Sequence, residues 1–224
     1  MELKGKRIAF LGDSITEGVG VKDIANCRYD NVLLRELELE KVYNYGIGGT
    51  RLAHQTIPSE SPRWDLCFCG RAYNIHRNVD VVVVYGGVND YFHGDAPIGK
   101  PEDKTPATFW GATYFLMNYL KNEFAGKQIV FMTPARTFAW GSPDIYPSKK
   151  PNKLPDAMPL LNYVEIIKER ARQFDVPVLD LYRELGIDPT NEEERIQYTA
   201  DGIHFNDAGH AILAKRLGDF LKGL

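Results

Sequence analysis

The sequence predicts an α/β fold built on a parallel sheet, and three features of the chain lead to it. Asp80-Val81-Val82-Val83-Val84-Tyr85 sets four valines in a row, the mark of a strand buried on both faces in the middle of a parallel sheet. Short apolar runs of this kind alternate with stretches whose apolar residues recur at helical spacing. Long irregular segments follow the second, third and fourth runs, which gathers them at the carboxyl edge of the sheet, where such folds bind ligands.

The elements follow in order. Arg7-Ile8-Ala9-Phe10-Leu11 is the first strand, stopped by Gly12-Asp13-Ser14, and Gly18 and Gly20 make a loop after it. Residues 29–39 carry Val32, Leu33, Leu37 and Leu39 among charges and predict an amphipathic helix. Lys41 to Tyr45 is the second strand, ending in Gly46-Ile47-Gly48-Gly49-Thr50. The segment 51–78 is irregular, with a helix start at Ser61-Pro62. The valine strand ends in Gly86-Gly87-Val88-Asn89-Asp90, and residues 91–108 read as a loop with His93, Gly94, Pro97, Gly99 and Pro101. A helix over 109–124, a fourth strand over 128–132, a helix over 160–174, a fifth strand over 176–181 and a final helix over 207–221 complete the pattern. Between residues 133 and 159, prolines at 143, 147, 151, 155 and 159 exclude a continuous helix or central strand. No repeat and no linker divides the chain, so residues 1–224 are expected to form one domain.

Composition narrows the function classes. The 224 residues are 44% hydrophobic and 25% charged, an ordinary globular balance, and the net charge of −3 favours neither nucleic acid nor an anionic membrane as partner. The amino-terminal residues have no apolar signal core, and no stretch approaches membrane-spanning length, so a cytoplasmic location is expected. Cys27, Cys67 and Cys69 are odd in number and form no CxxC, which fits reduced thiols. His54, His76, His93 and His210 show no paired metal spacing.

The strand ends carry the chemistry. Acyl transfer needs a nucleophile, a base, a group that orients the base, and donors aimed at a developing oxyanion. Ser14 is the candidate nucleophile and His204 the base, with Asp201 three residues earlier, near enough to reach its Nδ1. The candidate oxyanion donors are the backbone N–H groups of Ser14 and Gly49 and the side-chain amide of Asn89. Each piece has a plainer reading. Asp13 or Ser14 could simply cap the next segment, Asn89-Asp90 could be turn chemistry, and Asp201 to His204 could be a solvated loop. Gly46-Ile47-Gly48-Gly49 could be a turn, but not a dinucleotide fingerprint, because its sixth position is Arg51. What favours the catalytic reading is that all four pieces sit where one sheet edge would bring them together.

Gly12-Asp13-Ser14-Ile15-Thr16, Asn44-Tyr45-Gly46-Ile47-Gly48-Gly49, Gly87-Val88-Asn89-Asp90 and Asp201-Gly202-Ile203-His204 together resemble the four blocks of the SGNH hydrolases, the GDSL esterase/lipase superfamily. The resemblance spans nearly the whole chain. It implies a flavodoxin-like three-layer α/β/α sandwich with a five-stranded parallel sheet in the order 2-1-3-4-5. It also implies a triad of Ser14, Asp201 and His204, an oxyanion hole of Ser14, Gly49 and Asn89, and no metal or organic cofactor. The segments 51–78 and 133–159 match no one subfamily.

The expected activity is therefore hydrolysis of a small acyl ester through an acyl-enzyme, an O-acetylated carbohydrate being the first candidate, with a small-molecule ester as partner and neither nucleic acid nor membrane. Lipid-ester or acyl-thioester hydrolysis is the alternative, with Phe138, Trp140, Ile145 and Tyr146 available to line a groove. Acyl transfer to an alcohol, or a ligand-binding domain that kept the fold without the chemistry, are the others. Arg136 and Trp140 in the 133–159 segment, and Asp13 beside the nucleophile, are the candidate substrate contacts; Trp64 and Trp110 are further rings, Trp110 the better suited to the core.

Overall fold

The computed structural model describes residues 1–93, 95–147, 154 and 156–224. Gly94 and two of the five prolines, Pro151 and Pro155, lie outside the described residues. In chain order the elements are β1 (Arg7–Gly12), α1 (Ser14–Glu17), α2 (Ile24–Cys27), α3 (Tyr29–Glu36), β2 (Lys41–Gly46), α4 (Phe68–Arg71), β3 (Val81–Tyr85), α5 (Val88–His93) and α6 (Phe109–Glu123). They continue with β4 (Gln128–Met132), β5 (Phe138–Ala139), β6 (Ser142–Pro143), α7 (Leu160–Phe174), β7 (Val178–Leu179), α8 (Leu181–Glu184), α9 (Glu192–Tyr198) and α10 (Asp207–Gly223).

The main sheet has five strands in the order β2-β1-β3-β4-β7, all pairing in parallel. This is the expected 2-1-3-4-5 order, with β7 as the fifth strand. Alternation along the strands sends side chains to two cores. Ala9, Leu11, Val82, Val84, Ile129 and Phe131 pack with residues of α4 to α7, among them Phe68, Phe109, Leu116 and Ile167. Ile8, Phe10, Val81, Val83, Val130 and Met132 pack with Leu33 of α3 and with Leu213 and Leu217 of α10. Both faces of β3 are thus covered, as its valine run requires.

Several expectations needed correction. The segment after β3 opens with α5 rather than a loop: Val88, Tyr91 and Phe92 stand at i, i+3 and i+4 and are all buried, so one helical face docks on the core. Ser61-Pro62 starts only a 3₁₀ turn over Pro62–Asp65, and the serine makes no side-chain cap bond. The fifth strand shrinks to Val178–Leu179 at the sheet edge. Pro177 there has no N–H to give, yet its carbonyl accepts from Phe131 at 3.0 Å. The β5–β6 ribbon and α9 lie in stretches where no element was expected. Cys27, Cys67 and Cys69 are free thiols, and among the described residues no helix is long and apolar enough to cross a membrane.

Candidate active site

Ser14 stands two residues past the end of β1 and is the first residue of α1. Asp13 makes that turn. Its carboxylate accepts from the Ile15 N–H at 3.0 Å, and the side chain is only 1% exposed. Burial pushes the Asp13 carboxyl up to about 6, against the opposing pull of the Ile15 N–H. Asp13 is therefore a buried cap, which corrects its assignment as a substrate contact.

The second turn packs beside Ser14. Gly46 lies so close to α1 that a Cβ there would stand 2.2 Å from the Glu17 nitrogen. Ile47 N–H donates to the Gly12 carbonyl at 3.1 Å, and Gly48 N–H to the Glu17 carboxylate at 2.7 Å; that carboxylate also pairs with Arg63. Gly49 has φ +77°, and a Cβ on it would meet the Trp64 indole at 2.1 Å, so only glycine fits there. Arg71, on α4, threads between the two turns. Its guanidinium donates to the Gly12 carbonyl at 3.0 Å, the Tyr45 carbonyl at 2.5 Å and Thr50 Oγ1 at 2.9 Å.

The face of α5 toward the second turn holds it from the other side. The Asn89 amide donates to the Thr50 carbonyl at 3.1 Å, and His93 Nε2 lies 3.2 Å from the Gly49 carbonyl oxygen, so that nitrogen carries a proton. The Asp90 carboxylate accepts from Leu52 N–H at 2.9 Å and Ala53 N–H at 3.0 Å. Burial pushes the Asp90 carboxyl up to about 7, and its two backbone donors restrain the rise. Three side chains within five residues thus fix the backbone from Gly49 to Ala53. Of these, His93 and Asp90 were not singled out as site residues, although Asn89 and His93 stand four apart, the spacing of one helical face.

The third piece approaches from before α10. Asp201 Oδ1 accepts the N–H groups of Ile203 at 3.0 Å and His204 at 2.8 Å, an Asx-type turn. That turn aims Oδ2 at His204 Nδ1, 2.7 Å away, and His204 Nε2 lies 2.9 Å from Ser14 Oγ. Burial alone would raise the Asp201 carboxyl, but hydrogen bonds from the His204 side chain and backbone outweigh it and hold it down at about 2. With the ring proton on Nδ1, toward the carboxylate, Nε2 accepts the Ser14 hydroxyl proton. The arrangement can therefore raise the nucleophilicity of Ser14 and return a proton afterwards.

The remaining candidates fall in different places. Trp110 is buried under the Arg170 guanidinium, 5.0 Å from the ring centroid. Arg136 is no rim residue: its guanidinium donates to Asp188 at 2.7 Å and lies over the Tyr182 ring, beside α8 at the β7 edge of the sheet. Pairing with Asp188 directs its charge there. Trp140 is 66% exposed, and Ile145 and Tyr146 are exposed near it. Trp64, packed against Gly49, and His93, bonded to its carbonyl, are two walls of a cavity of about 600 Å³ whose lining includes Gln55, Ile57, Pro58 and Glu60. Among the described residues no group of three or more His, Cys, Asp or Glu side chains could hold a metal ion.

A model of the GDSL-like lipase/acylhydrolase family matches residues 10–212. Among solved structures, a protein from Lactobacillus plantarum is 28% identical with a TM-score of 0.81, the match covering 99% of this chain and 98% of that one. A possible lipase from Chitinophaga pinensis is 20% identical, TM-score 0.69, over 97% of this chain and 98% of that one. An acetyl xylan esterase is 21% identical, TM-score 0.62, over 95% of this chain and 98% of that one. The likeness to the last two is one of fold. No curated protein matches the chain.

Proposed function

Since the chain belongs to the GDSL-like lipase/acylhydrolase family, we propose that it is a serine ester hydrolase that works through an acyl-enzyme on short acyl esters, O-acetylated carbohydrates foremost. The observation that carries this reading is the Ser14–His204–Asp201 relay, with hydrogen bonds of 2.9 and 2.7 Å, set against the Gly48–Thr50 turn and Asn89.

Ser14 Oγ attacks the ester carbonyl carbon while His204 Nε2 takes the hydroxyl proton. The carbonyl oxygen becomes an oxyanion, met by the N–H groups of Ser14 and Gly49 and by the Asn89 amide. One N–H of that amide is spent on Thr50, which orients the other. His204 then protonates the departing alkoxide, and the C–O bond to the alcohol breaks. Water, deprotonated by His204, attacks the acyl-Ser14 ester and releases the acid. Asp201 remains ionised throughout and stabilises the imidazolium.

Two things speak for a short acyl group and a sugar ester. One fold relative is an acetyl xylan esterase. The cavity walled by Trp64 and His93 presents Gln55 and Glu60 beside Ile57, Pro58 and Leu154, and a long acyl chain there would strip water from the two polar groups without replacing it. The test is hydrolysis of p-nitrophenyl esters of rising chain length, with covalent labelling by a fluorophosphonate read by mass spectrometry. Acetate should be the best substrate, and the label should sit on Ser14. Activity retained in Ser14→Ala would overturn the mechanism, and preference for octanoate over acetate would make the enzyme a lipase instead.

A further inference from the structure

Trp140 stands at the tip of the β5–β6 hairpin, where Phe138 pairs with Pro143 and Ala139 with Ser142. That register leaves a two-residue loop, Trp140-Gly141, with φ of +51° and +69°. Positive φ at both central residues is what a type I′ turn demands, and asparagine followed by glycine is the pair that favours it. Tryptophan at the first position is an outlier, because a bulky β-carbon crowds the backbone in the left-handed region. Strain of this kind persists where the surroundings impose it, and it gathers at functional sites. Here the strained residue also holds its indole out to solvent, although the ring meets Phe92 edge-on at 5.2 Å.

The hairpin is joined to the loop that carries the base. Phe138 N–H donates to the Gly202 carbonyl at 2.9 Å, between Asp201 and His204. Trp140, Phe138, Arg195, Thr199 and Asp201 border a hollow of about 320 Å³. The Arg195 guanidinium lies over the Phe138 ring at 4.5 Å and donates to the Pro189 carbonyl at 2.8 Å. An aromatic wall facing a multi-donor guanidinium suits a ligand with both C–H faces and hydroxyl groups. Trp140 thus stands between Phe92, three residues past Asn89 on α5, and the loop from Asp201 to His204, at the rim that a bulky alcohol portion would have to cross.

We infer that Trp140 is the stacking platform for a pyranose ring in the alcohol portion of the substrate, and that the left-handed strain at the hairpin tip is kept to present the indole. The inference rests on the esterase reading and adds to it the place and chemistry of the leaving-group subsite.

The experiment compares two esters with the same acyl group, ethyl acetate and an acetylated xylo-oligosaccharide, in the wild type, Trp140→Asn and Trp140→Phe. Trp140→Asn installs the favoured Asn-Gly turn, so its melting temperature should rise by about 2–4 °C. Its ratio of kcat/KM on the sugar ester to that on ethyl acetate should fall about tenfold, mainly through KM, a typical loss for one aromatic contact. Trp140→Phe should keep most of the ratio. An unchanged ratio in Trp140→Asn overturns the inference. So does a lower melting temperature with equal losses on both esters, which would make the indole structural. Calorimetric titration of a deacetylated xylo-oligosaccharide into Ser14→Ala, with and without Trp140→Asn, separates the two readings. Binding that disappears with the indole upholds the platform even if no ester is hydrolysed, and binding that is absent or indifferent to the indole removes it.

Discussion

Asn89 and Thr50 are joined across the site: the Asn89 side-chain amide donates to the Thr50 carbonyl oxygen at 3.1 Å. The bond fixes the amide plane, so the second N–H of the same nitrogen has one direction in which to point. Asn89→Ala should lower kcat by about 10²–10³ with a smaller change in KM, the usual cost of one oxyanion donor. Steady-state kinetics on p-nitrophenyl acetate decide it. A rise in KM at constant kcat would make Asn89 a ground-state contact.

Asp201 accepts three hydrogen bonds, two from backbone and one from the imidazole. In Asp201→Asn the backbone bonds can persist, but an amide facing Nδ1 forces the ring proton onto Nε2, against Ser14. We expect kcat to fall by about 10³–10⁴ with the fold intact. The carboxyl is held at about 2, below its ordinary value of 3.8. Its contribution to stability is therefore complete above about pH 4 and fades as pH falls through about 2. An acid limb in the wild-type rate profile above pH 4 must come from another group, and the profile of kcat/KM against pH checks this.

Asp90 shows how the second turn is held. Asp90→Asn keeps one acceptor and turns an amide toward the other backbone N–H, leaving a buried donor unpaired. This should cost about 1–3 kcal/mol in urea unfolding, and it should lower kcat because the residues 49–53 relax. Full activity at reduced stability would mean that the turn keeps its shape without the carboxylate.

His210 should make the protein sensitive to mild acid. Its Nδ1 accepts from the Tyr29 N–H at 3.2 Å, so the ring is neutral, and Nε2 is buried with no hydrogen-bond partner among the described residues. Burial pushes the imidazole down from 6.5 to about 4. Between those values the unfolded chain binds the proton more readily, so stability is full above about pH 6.5 and is lost as pH falls toward 4. The group accounts for ~3 kcal/mol over that window. His210→Gln, which can still accept from Tyr29, should flatten the unfolding free energy against pH by that amount.

Much of this was legible in the chain because it depends on local pattern. The four valines of β3 require cover on both faces, and the helix over 160–174 begins and ends where its apolar spacing does. Asp201 and His204 are three residues apart, and the Asx turn that joins them is local. The pairing of Arg136 with Asp188 was not legible, because it joins residues 52 apart and no spacing rule reports such a partner. Asp13 was placed at the substrate although its capping role was visible, because capping and ligand contact draw on the same side-chain type. The α5 helix was missed because glycines, histidine and proline on either side of Val88, Tyr91 and Phe92 looked like a loop.

Arg71 has a consequence for how the site opens. One guanidinium holds carbonyls near the ends of β1 and β2 and the Thr50 hydroxyl. Withdrawing it would take a hydrogen bond from both turns at once. The turn that carries Ser14 and the turn that carries the glycines should then behave as a single cooperative unit in native-state hydrogen exchange, and the amides of Ile47 and Gly48 should share one opening free energy.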